Sequence, residues 1–247
     1  MPRPPSPSMS APDPRLALER YRAHAAGYDA SAQRTLALRR RTVAALALRP
    51  GQTVLDVACG TGLSFPLLQE GVGAGGRIIG VELSPEMLAL ARERCGREGW
   101  RNVTLIESAM EAANVPAPVD AVLCNFTHDV LRSPAALARV FAAARPGARV
   151  AVAGMKWAPW WLAPVNLVVL AKARPYLTTF EGLGRPWSLL EDYLDRFEWK
   201  SVMFGAGYIG WGAVARECPA SWQFTAEAQR RREPNDPSLL CVFAPLR

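Results

Sequence analysis

Four short apolar runs alternate with amphipathic stretches over the first two thirds of the chain. The runs at 54–57, 77–81, 103–106 and 119–124 have strand length, and a fifth follows at 148–153. Between them, 63–70, 87–97 and 137–144 carry apolar residues at helical spacing, with Leu88, Ala91 and Cys95 on one stripe of the second. Ser84-Pro85-Glu86 reads as a helix start, with Ser as cap and Pro at the first helical position. Pro50-Gly51 and Arg145-Pro146-Gly147 read as turns into strands. Strand-helix alternation of this kind predicts a doubly wound, mostly parallel α/β sheet with helices on both faces. Two further helices, near 16–29 and over 36–48, precede the first strand. After Gly154 the pattern loosens: a helix is expected over 187–197, then strands near 202–204 and 208–215, with 239–243 an alternative for the last.

The densest chemistry lies in Val54-Leu-Asp-Val-Ala-Cys-Gly-Thr-Gly-Leu63, a strand running into a glycine-bearing turn. Glycines at 60 and 62 let a ligand lie directly on the backbone, and amides at a following helix start favour an electron-rich group. The dinucleotide fingerprint needs glycine at three set places, and with Gly60 as the second, Ala58 and Leu63 fill the other two. Asp56 before the turn repels a diphosphate and suits a cation. Glu82 ends the second strand twenty residues beyond Gly62, where an acid accepts from both ribose hydroxyls. One carboxylate for a ribose and one for a cation describe S-adenosylmethionine better than NAD.

On these motifs, residues 20–155 resemble the class I S-adenosylmethionine-dependent methyltransferases. The resemblance implies a Rossmann-like sheet of seven strands with the last antiparallel. It implies that Asp56, Ala58, Gly60 and Gly62 bound the methionine end of the cofactor, with Leu83 beside Glu82 at the ribose. It places Ser108, Ala109 and Met110 at the adenine, Ser108 standing where the family commonly has Asp. Tyr21-Arg-Ala-His-Ala-Ala-Gly-Tyr28-Asp29 matches the family's lid segment, so Tyr28 closes on the methionine end; the alternative is an amphipathic helix packed on the sheet. His24 in the same stretch reads as surface or lid.

Methyl transfer is a backside displacement that needs alignment, exclusion of water and sometimes removal of a proton. Ligands of open parallel sheets lie beyond the carboxyl ends of the strands, which singles out Asn125-Phe126-Thr127-His128-Asp129. Asn125 is expected to line the cofactor site, and His128 is the candidate catalytic residue as a general base, with pocket lining and a structural role as alternatives. Asp129 is poorly placed to orient it, because adjacent helical residues do not face each other. Asn125-Phe126-Thr127 lacks the prolines with which nucleic-acid amino-methylating enzymes grip a flipped base, and Cys124 reads as a core thiol rather than a nucleophile.

Charge and composition narrow the partners. The formal net charge is +7, but lysine occurs only at 156, 172 and 200, and the arginines are spread along helices. Only 39–41 and 230–232 form short blocks, so nucleic acid is not expected as a substrate. Five cysteines without a C-x-x-C pair and two histidines predict reduced thiols, no metal site and a cytoplasmic setting. Six prolines in the first fourteen positions predict a disordered tail over 1–14, without the apolar core of a signal peptide. Residues 15–247 are then one domain, with 15–48 a helical lid and 155–186 a substrate cap inserted after the fifth strand.

Three tryptophans fall within five residues at 157–161, followed by an apolar stretch bracketed by Lys156, Lys172 and Arg174. It reads as an aromatic acceptor pocket, as an interfacial helix touching a membrane through 155–172, or as a core-packing helix. The expected activity is in-line methyl transfer to a small, hydrophobic or aromatic acceptor. The alternatives are a quinone or lipid C-methyltransferase at the membrane surface, or a cofactor-binding protein without turnover.

Overall fold

The computed structural model describes residues 12–32, 35–116 and 118–216, excepting the side chains at 23–27 and 30–32. The readings for the proline-rich start, His24, Cys218, Cys241 and the strand at 239–243 fall outside those bounds. Seven strands form one sheet in the order β3-β2-β1-β4-β5-β7-β6. They are β1 Thr53–Val57, β2 Arg77–Glu82, β3 Val103–Glu107, β4 Val119–Asn125, β5 Ala144–Met155, β6 Leu194–Val202 and β7 Gly207–Val214. The first five run parallel, and β7 inserts antiparallel between β5 and β6.

Alternation along the strands decides which helix packs where. In β1, Leu55 and Val57 face one layer, joined by Ile79, Val122 and Val150 and covered by Leu137, Val140 and Phe141 of α6 (Pro134–Ala143). Val54, Ile78, Leu123 and Ala151 face the other, against α2 (Leu36–Ala45), α3 (Phe65–Val72) and α4 (Pro85–Arg97). A sheet buried on both faces is why the central strands read as unbroken apolar runs. Ser84 caps α4 as expected, its hydroxyl accepting from Met87 N at 3.3 Å, with Pro85 in the first turn.

The chain enters the sheet through two helices. Asp13 caps α1 (Pro14–Ala32), its Oδ1 accepting from Arg15 N and Leu16 N at 2.9 and 3.2 Å. The turn expected at 145–147 is a bulge within β5: Ala144 pairs with Val119 and Arg149 with Ala121, Gly147 taking φ +78°.

The helix expected over 187–197 is not formed. Glu191–Tyr193 makes one 3-10 turn, and Leu194 begins β6, an edge strand exposed along most of its length. Leu190, Tyr193, Leu194 and Phe197 do carry helical spacing, but β7 sets Gly212 opposite Phe197 and Gly210 opposite Trp199, which leaves room for β6 to pair there. A Cβ at Gly210 would stand 2.3 Å from the Phe197 ring, and one at Gly212 2.4 Å from Arg196 O. The strand expected near 202–204 ends at Val202 and gives way to a 3-10 turn, Met203–Gly205, leading into β7. A short helix, α5 (His128–Leu131), follows β4, and between β5 and β6 a 3-10 turn Trp160–Leu162 leads into α7 (Ala163–Ala173).

Candidate active site

At the carboxyl ends of β1, β2 and β4 two cavities share a wall. The first is lined by Ala58, Cys59 and Gly60 of the turn, Glu82, Leu83 and Ser84 after β2, Ser108, Ala109 and Met110 after β3, and Asn125 after β4. Tyr28 of α1 closes it from above. Nine of the eleven residues expected around the cofactor thus meet on one surface, although they come from five separate segments.

Glu82 is almost fully buried. Its Oε2 accepts from Gly60 N and its Oε1 from Ser84 N, both at 2.9 Å. Burial pushes its carboxyl up and these amide bonds pull it back, so the acid is held rigidly with lone pairs to spare. Gly60 takes φ +58°, and a Cβ added there meets only Tyr28 Cε1 at 3.9 Å, leaving room for a ligand between turn and lid. Ala58 adopts φ +49°, a left-handed conformation that costs a non-glycine residue about 1–2 kcal/mol. Phe126, at φ +61° in the loop after β4, carries the same strain, and strain of this kind gathers at ligand sites. Ser108 donates to Ala109 O at 2.8 Å, which leaves its lone pairs free to accept.

Two expected residues stand apart from the cavity wall. Gly62, at φ +74°, faces inward: a Cβ would lie 2.5 Å from Phe65, so the glycine serves turn packing rather than ligand contact. Asp56 is buried behind the turn, with Oδ2 unpartnered. Burial raises its carboxyl to about 7, with Glu82 adding to the rise and Arg39 opposing it. Asp56 therefore acts on the cavity through its field and not by contact.

Asp29, next to Tyr28, secures the lid. It accepts from Thr61 Oγ1 of the glycine turn and from Arg94 Nη2 of α4, each at 2.5 Å, while Arg94 Nε binds Thr61 O at 2.9 Å. Tyr176, in the segment after α7, packs edge-on against Tyr28 at 5.8 Å and tilted against Tyr21 at 5.9 Å. Arg20 of α1 donates to Leu177 O, joining the lid to that same segment.

The second cavity, of about 860 Å³, is walled by Val165, Val169 and Lys172 of α7, by Met155, Tyr208 and Phe204, and by His128. Tyr21, Tyr28, Arg39, Phe126, Tyr176 and Leu177 line both cavities. His128 thus belongs to the apolar cavity. Its Nε2 lies 3.1 Å from Glu181 O, and since a carbonyl only accepts, Nε2 carries the proton and Nδ1 the free lone pair. Nδ1 is buried without a partner. Burial lowers the imidazole's pKa against the pull of Asp129, so the ring is neutral at pH 7. Asp129 does not hydrogen-bond it. Instead its Oδ2 accepts from Thr178 N and Oγ1 at 2.9 and 2.7 Å, leaving Oδ1 unpartnered.

Residues 54–147 match the family model of the methyltransferase domain. The match marks this stretch, less than half of the chain, as similar to methyltransferase domains. An arsenite methyltransferase of Halobacterium salinarum is 34% identical over 43% of this chain and 28% of its own length. A demethylmenaquinone methyltransferase of Symbiobacterium thermophilum is 32% identical over 44% of this chain and 45% of its own. The match therefore spans less than half of either relative. Among solved structures, a SAM-dependent methyltransferase from Aquifex aeolicus shares the fold at TM-score 0.53 and 22% identity, over 82% of this chain and 99% of that one. Geranyl diphosphate C-methyltransferase from Streptomyces coelicolor, solved with S-adenosyl-L-homocysteine, aligns at TM-score 0.57 and 17% identity, over 73% and 76%. The fold is that of the S-adenosylmethionine-dependent class.

The residues lining the first cavity suit S-adenosylmethionine on their own chemistry. Glu82 and the unpartnered Asp129 Oδ1 and Asn125 Oδ1 are acceptors gathered around the first cavity. They call for a ligand rich in donors and positive charge, which an amino acid sulfonium joined to a ribose and an amino-purine supplies. Arg39 and Tyr176 are the site residues that sequence reasoning missed, whereas Phe126 and Asp129 lie in the loop it singled out, without the contacts they make here. Arg39 stood inside the short basic block 39–41, to which no site role was given, yet it is buried, donating to Ser64 Oγ at 3.2 Å and lying 5.4 Å from the Phe126 ring centre. An arginine facing the apolar stripe of α2 was the available signal.

Among the described residues no group of His, Cys, Asp and Glu side chains is placed to hold a metal, and no helix is long and apolar enough to cross a membrane.

Proposed function

We propose that the protein transfers a methyl group from S-adenosylmethionine to a small hydrophobic acceptor. The shared wall between the two cavities carries the reading: one side is rich in acceptors and backbone, the other is apolar, and only side chains divide them. The cofactor supplies a methyl group already activated by its sulfonium. Glu82 holds the ribose hydroxyls, Ser108 and Met110 with Ala109 the adenine, and Ala58, Gly60, Asn125 and Asp129 the amino acid end. Tyr28 and Tyr21 exclude water from above, while Phe126 and Tyr176 hold the acceptor in line with the bond that breaks. His128, neutral and with its Nδ1 lone pair free, takes a proton from an acceptor hydroxyl or carbon acid.

Calorimetry with S-adenosylmethionine, paired with label transfer from its methyl group across hydrophobic phenols, quinones and alkyl amines, tests this directly. Glu82→Ala should weaken cofactor binding by about 1.5–3 kcal/mol, the scale of hydrogen bonds to a charged group. Unchanged affinity would remove Glu82 from the ribose, and binding without label transfer to any acceptor would leave a binding protein.

A further inference from the structure

We propose that the rim of the second cavity is a docking surface for an anionic lipid bilayer, and that the acceptor enters from the lipid phase. The inference rests on the reading of that cavity as the acceptor site.

Apart from Leu36 and Trp199, the large apolar side chains exposed among the described residues gather on two segments. Trp160 is 82% exposed, Trp161 65% and Leu167 70% on the insertion after β5, and Phe204 is 89% and Met203 49% exposed on the turn after β6. These segments adjoin. A Cβ at Gly205 would stand 2.8 Å from Pro159 Cδ, which sets the Met203–Phe204 tip against the start of the tryptophan turn. Val168, Lys172, Met203 and Phe204 are exposed and also line the second cavity, so the patch surrounds its mouth. Met203 and Phe204 both take positive φ, at 52° and 53°. The chain thus bears strain to project a phenylalanine into solvent, where it does nothing for the core. By contrast Trp157, the third tryptophan of the run, turns inward and stacks on Phe180 at 5.9 Å.

Charge selects the occupant. No acidic residue occurs from 155 to 180, whereas Lys172 and Arg174 end α7 in exposed positions. Tryptophan and phenylalanine beside lysine and arginine, with no carboxylate, match the boundary between acyl chains and anionic headgroups. A protein partner would need complementary acids and a closed interface, whereas the mouth of a cavity in the middle of the patch requires something that can pass through it. A bilayer both covers the patch and supplies the ligand.

Flotation of the full chain with phosphatidylcholine vesicles, with and without phosphatidylglycerol, tests the inference. Wild type should float with the anionic vesicles and lose that binding in high salt. Trp160→Ser combined with Leu167→Ser lies outside both cavities and should reduce vesicle binding at least about tenfold, from two lost apolar insertions. Cofactor affinity and melting temperature should stay unchanged in this variant. Wild type remaining in the soluble fraction would overturn the inference, whether a second copy or residues 217–247 cover the patch. So would a double variant that floats as well as wild type. Cofactor binding by a chain that ignores vesicles would spare the methyl-transfer reading, and vesicle binding without cofactor uptake would sink that reading alone.

Discussion

Asp56 is buried and lies outside the lining of the first cavity. An acid before a glycine turn was legible from spacing, but burial, which spacing does not reveal, puts it behind the wall. Because its carboxyl titrates near 7 in the fold and near 4 when exposed, the native state holds the extra proton between those values. Its contribution is fully present below about pH 4 and is lost as pH rises through about 7, a swing of up to about 4 kcal/mol. In Asp56→Asn that slope should vanish, so the stability difference between the two proteins, followed by denaturant melts from pH 5 to 8, should move in favour of the variant and level off above about pH 7. A cationic ligand beside the ionised acid offsets part of the loss, so S-adenosylmethionine should flatten the wild-type slope. His128 is the opposite case: its place after β4 was legible, but its partner was not. The Glu181 carbonyl comes from a segment fifty-three residues away and fixes the tautomer. If its Nδ1 takes the proton, His128→Gln should lower kcat about a hundredfold and abolish an acid limb lying below the usual histidine pKa. A fall of less than about threefold with the pH profile intact would make it a wall residue.

At the scale of elements, strands β1, β2, β4 and β5 were readable because burial on both faces leaves an apolar run that has no other use. The final hairpin was not. Helical spacing over 187–197 competes with pairing to β7, and the glycines at 210 and 212 that decide for pairing look, in one dimension, like ordinary breakers. The lid lies between these cases. Its Tyr-Asp ending was recognisable, but the clamp on Thr61 and Arg94 depends on α4, sixty-five residues on from Asp29 in the case of Arg94. Asp29 is partly exposed, so the ion pair itself is screened and worth little. Its effect is to hold Tyr28 over the turn. Asp29→Ala should therefore weaken cofactor binding about threefold to tenfold, as the closed lid becomes a fraction of the population, while the melting temperature of the free protein barely moves. Equal loss of both would mean that α1 is part of the fold's framework and not a cover.

Across the whole molecule, chemistry collects where the parallel strands end, and everything appended to the central sheet converges there. The lid arrives from before β1 and α7 from after β5, and the two meet at Tyr176, which touches both Tyr21 and Tyr28. One partition of six side chains therefore belongs to two chambers at once. A guest that stiffens Tyr21, Tyr28 and Tyr176 from one side has already met part of the ordering cost for a guest on the other. By linkage, each then tightens the other's hold by the same factor. The spent nucleoside is thus the guest most prone to be trapped, since an acceptor arriving early seals the room it must leave.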